Sequence, residues 1–238
     1  GYTFMSADNA ILAYNEPLFT KLPFNPEKDF TYVGGISRFP LALVVHPAFE
    51  AKTVKEFLAY ARANPGKLNY ASPGNGSPHH LAMEMFKHRT KSFITHIPYR
   101  GAAPALQDVM GGQVPCMFLD LAAGLPVITS GKVRALAIGS AKRVAALPDV
   151  PTLAEAGVPN TEVFAFQGIL APAGLPAAIT ARLNGDLNKA LLNPAVVKRM
   201  NDFGMEALPG TPEQFRAMAR SESKRWGEII KAAGVKLD

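Results

Sequence analysis

The stretch Ser72-Pro73-Gly74-Asn75-Gly76-Ser77-Pro78 joins a short extended segment to a helical one and has the composition of an anion cradle. Two glycines let the backbone approach a bound group closely, and the amino terminus of the next helix turns free N–H groups toward negative charge. Ser77 suits the N-cap and Pro78 the first helical position. The turn is not a nucleotide loop, since no Gly-Lys-Ser/Thr ends it and Gly74-Asn75-Gly76 lacks the third glycine of a dinucleotide fingerprint. A plain tight turn has the same composition, so both readings stand. Tyr99-Arg100-Gly101-Ala102-Ala103-Pro104 repeats the pattern of a strand end passing through small residues into a helix, although small residues also serve close helix-to-strand packing. Two such turns at one sheet edge would face one cleft.

Asp120 follows the apolar strand Val114 to Leu119, where a carboxylate either accepts a hydrogen bond from a ligand or caps the next helix. His79, His80, His88 and His96 raise the question of a metal. Adjacent histidines project to different helix faces, however, and no fixed spacing with cysteine or carboxylate appears, so no metal site is expected. His80 fits better as a hydrogen-bonding wall of a cleft. Ser77 and His80 share one helix turn, which keeps a small hydrolase as an alternative, but no G-x-S-x-G elbow is present and no catalytic residue is assigned. No cofactor is implied by any motif.

The elements that position these residues follow from periodicity. From residue 53 to 139, helical and extended segments alternate, which predicts an α/β fold with parallel strands and crossover helices. Thr53 with Glu56 forms a capping box, Val54, Phe57, Leu58 and Ala61 share a helical face, and Asn64-Pro65-Gly66 ends that helix. A strand from Lys67 to Ala71 and a helix from Pro78 to Lys87 come next. They are followed by an extended Phe93 to Pro98, a helix from Ala103 to Met110, the strand Val114 to Leu119, a helix from Leu121 to Thr129 and the strand Val133 to Ile138. The longer apolar runs Tyr32 to Val45 and Val163 to Ala171 are candidates for segments crossing between two lobes. Near the carboxyl end Leu183, Leu187 and Leu191 make a helical stripe, and Thr211-Pro212-Glu213-Gln214 caps a last helix reaching Trp226.

Composition bounds the rest. The 238 residues are 48% hydrophobic and 18% charged, enough to bury one large core or two smaller ones. The formal charge of +6 is spread along the chain without a basic run, and no nucleic-acid-binding motif is present, so no nucleic-acid partner is expected. The single cysteine, Cys116, lies in an apolar run and reads as an inert buried thiol. No apolar stretch is long enough for a membrane span and no export signal opens the sequence.

Taken together, several strings resemble one family. They are Asn69 through Ser77, His96 through Leu106, Gly111-Gly112-Gln113-Val114 with Met117-Phe118, and Leu147-Pro148-Asp149-Val150-Pro151-Thr152-Leu153-Ala154-Glu155-Ala156-Gly157. Gly168 through Gly174 and Gly210 through Phe215 continue the match, so the ordered set covers essentially the whole chain. It resembles the Bug-type solute receptors of tripartite tricarboxylate transporters. That resemblance implies a type II periplasmic binding protein of two α/β lobes joined by two crossover strands, with lobe 1 formed by residues 1–39 and 166–238 and lobe 2 by 40–165. It also implies a small carboxylate ligand (a dicarboxylate, tricarboxylate, amino acid or aromatic acid), a membrane permease as partner and a periplasmic location. The ligand-binding residues it implies here are Ser6, Gly76, Ser77, His80, Gly101, Ala102, Ala103, Asp120 and Phe166. Family members carry further strand-helix units before the segment resembling Gly1-Tyr2-Thr3, so lobe 1 is expected to be incomplete and a homodimer through its exposed surface is a further expectation. An effector-sensing domain of a regulator, which would share the architecture, remains the other alternative.

Overall fold

The computed structural model describes residues 3–237. The chain divides into two compact units, one made of the residues up to Phe39 together with those from Ala165 onward, the other of Pro40–Phe164. In the first unit β1 (Met5–Asp8) leads through a π-type turn at Ala10–Tyr14 into the short α1 (Asn15–Leu18), after which β2 (Phe30–Val45) runs through the unit boundary.

The second unit then unfolds as an alternation of helix and strand: α2 (Val54–Ala63), β3 (Asn69–Ser72), α3 (Pro78–Thr90), β4 (Thr95–Pro98), α4 (Ala102–Met110), β5 (Cys116–Asp120), α5 (Leu121–Thr129) and β6 (Arg134–Ile138). β3 is hydrogen-bonded in parallel to both β4 and β5, the α/β arrangement predicted for this stretch. β2 departs from it, lying antiparallel to β5 and also to β6. Its apolar run carries no mark of direction, because a strand buried on both faces reads the same either way.

Alternation along the strands sets the two faces of this sheet. Ala42, Val44, Ala71, Met117, Leu119 and Ile138 pack in one buried cluster with Ala105 and Val109 of α4 and with Leu121 and Leu125 of α5. The residues one step along, including Tyr70 and Phe118, meet α2 and α3, where Phe118 touches Phe86 and Phe86 touches Phe57 at ring separations of 6.1 Å. Phe57, Phe86 and Phe118 are fully buried. Three buried aromatic side chains contribute roughly 2–3 kcal/mol each to holding α3 on the sheet.

β7 (Phe164–Pro172) returns the chain to the first unit, followed by α6 (Ala177–Leu191), α7 (Pro194–Asp202), β8 (Glu206–Ala207) and α8 (Pro212–Ala233). β7 pairs with β1 in antiparallel register, and β8 pairs with β2 through Ser37 and Arg38. Thr211 and Gln214 form a reciprocal capping box that starts α8, which continues past Trp226 to Gly234 in the left-handed region. Trp226, fully buried, donates to Glu222 at 2.9 Å and meets Tyr14 edge-on at 5.3 Å. Helix α7 was not foreseen, and α3 runs three residues beyond Lys87 before Lys91 adopts a left-handed conformation.

Candidate functional site

Three helices of the second unit, α3, α4 and α5, begin at the carboxyl ends of the parallel strands β3, β4 and β5, so their amino termini gather at one sheet edge. Ser77 caps α3, its Oγ accepting from His80 N–H at 3.3 Å while donating to the Gly74 carbonyl at 2.8 Å. That hydroxyl is therefore committed to the turn, and the His80 ring does not serve it as a base. Gly74 and Gly76 both take positive φ, which admits glycine readily and other residues at a cost.

The two turns singled out by sequence lie against each other. Gly101 N–H donates to the Pro73 carbonyl at 3.0 Å, and a Cβ on Gly74 would sit 3.4 Å from the Tyr99 carbonyl. Gly101, with φ of 118°, precedes α4 and offers no side-chain cap. The first-turn N–H groups of Ala102 and Ala103 are thus left without a side-chain acceptor, at the positive end of the helix dipole. Ala103 is exposed and Ala102 half-buried.

Behind the first turn stands a stack of rings that sequence reading missed. Tyr70 and His96 are register partners on β3 and β4, and their rings lie 4.7 Å apart; His80, from α3, lies parallel to His96 at 4.1 Å with 6° between planes. His80 Nδ1 accepts from Gly76 N–H at 3.0 Å, and His96 Nε2 is 2.6 Å from Ser72 Oγ, which accepts from Gly74 N–H. Tyr70 donates to Glu84 at 2.7 Å and Lys87 bonds the same oxygen at 2.6 Å. Burial lowers the pKa of both histidines, with His96 pushed down to about 4 by desolvation and by the adjacent His80.

Of the two roles left open for Asp120, the structure shows the helix cap, and it adds a contact with His79. Its Oδ1 accepts from Ala123 N–H at 2.8 Å, capping α5, and its Oδ2 lies 3.4 Å from His79 Nε2. Burial pushes this carboxyl up, but the His79 hydrogen bond and charge and the Ala123 N–H outweigh it and hold it below the ordinary carboxylate range. The other ring nitrogen, His79 Nδ1, is buried without a hydrogen-bond partner among the described residues. The spacing of 41 residues between the two kept this pair out of sequence reading. With His79 on Asp120, and His80 and His96 face to face, these rings do not converge on one point as metal ligands would.

Ser6 and Phe166 belong to the first unit. Ser6 is exposed on β1 opposite Ile169. Phe166 is fully buried, meeting Phe215 edge-on at 6.2 Å, with its backbone N–H bonded to Asn9 at 2.6 Å. Its ring packs the core of its own unit.

The fold is that of a type II periplasmic binding protein. A structure of R. palustris Rpa4515 with adipate superposes on it with a TM-score of 0.93, at 34% identity over 99% of this chain and 79% of that one. MatC from Rhodopseudomonas palustris with bound malate gives 0.85, at 33% identity over 96% and 79%. The chain belongs to the tripartite tricarboxylate transporter family of receptors, matching it over residues 1–235. The protein BugT of Bordetella pertussis is 35% identical over the whole chain, which spans 73% of BugT. A protein encoded in the tcbD-tcbE intergenic region of Pseudomonas sp. strain P51 is 36% identical over 213 residues, and there the chain spans 63% of its relative. Membership is that of a Bug-type solute-binding receptor and not of an enzyme, in keeping with the commitment of Ser77 to its cap.

Proposed function

We propose that this protein captures a small carboxylate at the carboxyl edge of the second unit's sheet, in the periplasm, and hands it to the membrane permease of a tripartite transporter. The observation that carries the reading is the uncapped start of α4, where Ala102 and Ala103 offer two N–H donors beside the Gly74–Ser77 turn. Charge-assisted hydrogen bonds from backbone N–H groups to a carboxylate are among the stronger polar contacts, and a helix amino terminus adds its dipole. The bound adipate and malate of the two structural relatives support the ligand class.

The roles differ along the edge. Ala102 and Ala103 are the direct donors, Gly101 and Gly76 give the backbone its approach, and Ser77, His80 and Asp120 hold the helix starts in place. No helix among the described residues is long and apolar enough to cross a membrane.

Titration calorimetry with malate, adipate and citrate tests this directly. The expected outcome is saturable binding of at least one of them, and heat of dilution alone for all three sinks the reading. Ala102→Pro removes one donor at the helix position that accepts proline best, so the fold persists while affinity drops about 10- to 100-fold. An unchanged affinity would move the carboxylate away from α4.

A further inference from the structure

We propose that His80 and His96 are positioning residues that keep the Ser72–Ser77 turn closed only while both rings are neutral, so that acidification opens the turn and releases what it holds. The consequence for release rests on the carboxylate reading above, whereas the opening of the turn does not.

The geometry makes neutrality a requirement. His80 Nδ1 accepts from Gly76 N–H at 3.0 Å, which only an unprotonated nitrogen can do. A proton there would set two donors against each other. His96 reaches the same turn from the other strand through Ser72 Oγ, which accepts from Gly74 N–H and can donate to the Gly74 carbonyl, so that the His96 tautomer sets the direction of its own bond. The two imidazoles are parallel at 4.1 Å, so a charge on one opposes a charge on the other. The Gly76 amide is thus held by a ring that must stay neutral, and the second ring, stacked on it and bonded to Ser72, opposes a charge there.

The neighbours do not rescue the charged form. Tyr70 covers His96 from β3, and its hydroxyl is already given to Glu84. Glu84 of α3, whose Oε1 lies 3.9 Å from His80 Nε2, favours a proton on His80, but that oxygen also receives Lys87 Nζ at 2.6 Å. Lys87 opposes protonation of both histidines. From β5 the fully buried Cys116 is held as a neutral thiol by desolvation, so it supplies no counter-charge. Desolvation then lowers both histidine pKa values, in the direction the geometry requires. Once the turn opens, water reaches the rings and they take protons near the ordinary value of 6.5. That difference is the thermodynamic coupling between pH and the turn.

Nuclear magnetic resonance on the isotope-labelled protein gives the test. The expected result is a His80 tautomer protonated on Nε2 at pH 7, and a Gly76 amide whose exchange, corrected for intrinsic pH dependence, rises on the order of tenfold between pH 7 and pH 5. His80→Asn keeps an acceptor at the Nδ1 position without a titration, and His96→Gln keeps a polar group at Nε2. The double variant should hold Gly76 protected across that range, and adipate or malate affinity should become flat with pH in it. Trp226, the only tryptophan and buried in the other unit, reports by fluorescence that the chain remains folded. Gly76 protection that does not change with pH in the natural chain overturns the proposal, as does an equal loss in the double variant. Should the variant fail to fold, the natural chain alone decides through the pH course of Gly76 exchange against the two imidazole titrations. A turn that opens with acid in a protein that binds no carboxylate leaves this proposal standing and removes the ligand reading instead.

Discussion

Asp120 concentrates two structural tasks in one side chain, and they can be separated by choice of substitution. Alanine removes the cap on α5 and also leaves His79 buried with neither ring nitrogen bonded. Losing the cap costs about 1 kcal/mol and stranding a buried polar group about 1–3, so Asp120→Ala should destabilise by roughly 2–4 kcal/mol. Asparagine is as good a cap as aspartate but gives His79 no charge to face. Asp120→Asn should therefore cost about 1 kcal/mol, and urea unfolding of the two variants checks the order. Equal losses would mean that the contact with His79 contributes nothing and that the cap is the whole role. At the same scale the site's chemistry is mostly backbone: the direct donors are alanine N–H groups, which explains why no side-chain motif in the sequence names the ligand.

At the scale of elements, glycines decide how closely the first unit packs. A Cβ on Gly168 of β7 would fall 2.1 Å from the Phe215 ring and 2.8 Å from the Gly34 carbonyl, and the carbonyl is backbone that cannot step aside. Gly168→Ala should cost about 1–3 kcal/mol by overpacking. Differential scanning calorimetry should show a melting point lower by about 2–4 °C per kcal/mol, and an unchanged melting point would show that β7 can shift off α8. What was legible in sequence follows the same divide between local and distant causes. The Thr53, Ser77 and Thr211 caps and the proline and glycine that bound α3 and its turn are local signals, and each appears where its pattern placed it. Even there Glu56 reaches the Lys52 N–H at 2.6 Å instead of closing the box on Thr53. The Tyr70–His96–His80 stack could not be read because it depends on the register of β3 against β4, which no window of sequence contains. The direction of β2 and the burial of Phe166 against Phe215 are likewise set by residues far along the chain.

For the molecule as a whole, the shifted groups add with one sign as acid is introduced, but in two separate windows. Folded His80 and His96 refuse protons that the unfolded chain accepts near 6.5, so stability is full above that value and falls as pH drops, levelling once the folded value, about 4 for His96, is passed. Both histidines belong to the second unit. The carboxyls act lower. Asp120, held down by His79, and Glu27, held down first by Arg220 and then by Arg216 of α8, keep their contribution until pH falls through the acid range beneath their ordinary values of 3.8 and 4.5. Net charge, already +6 at pH 7, also grows as acid is added, and self-repulsion alone would give a slope. The His80→Asn, His96→Gln variant separates the causes, because it removes the two buried titrations and keeps nearly all of the growing charge. The urea midpoint of the natural chain should decline steadily from pH 6.5 to 4.5, while that of the variant declines much less over the same range and resumes the common course below pH 4. Parallel curves throughout would assign the acid sensitivity to net charge and leave the ring stack as ordinary packing.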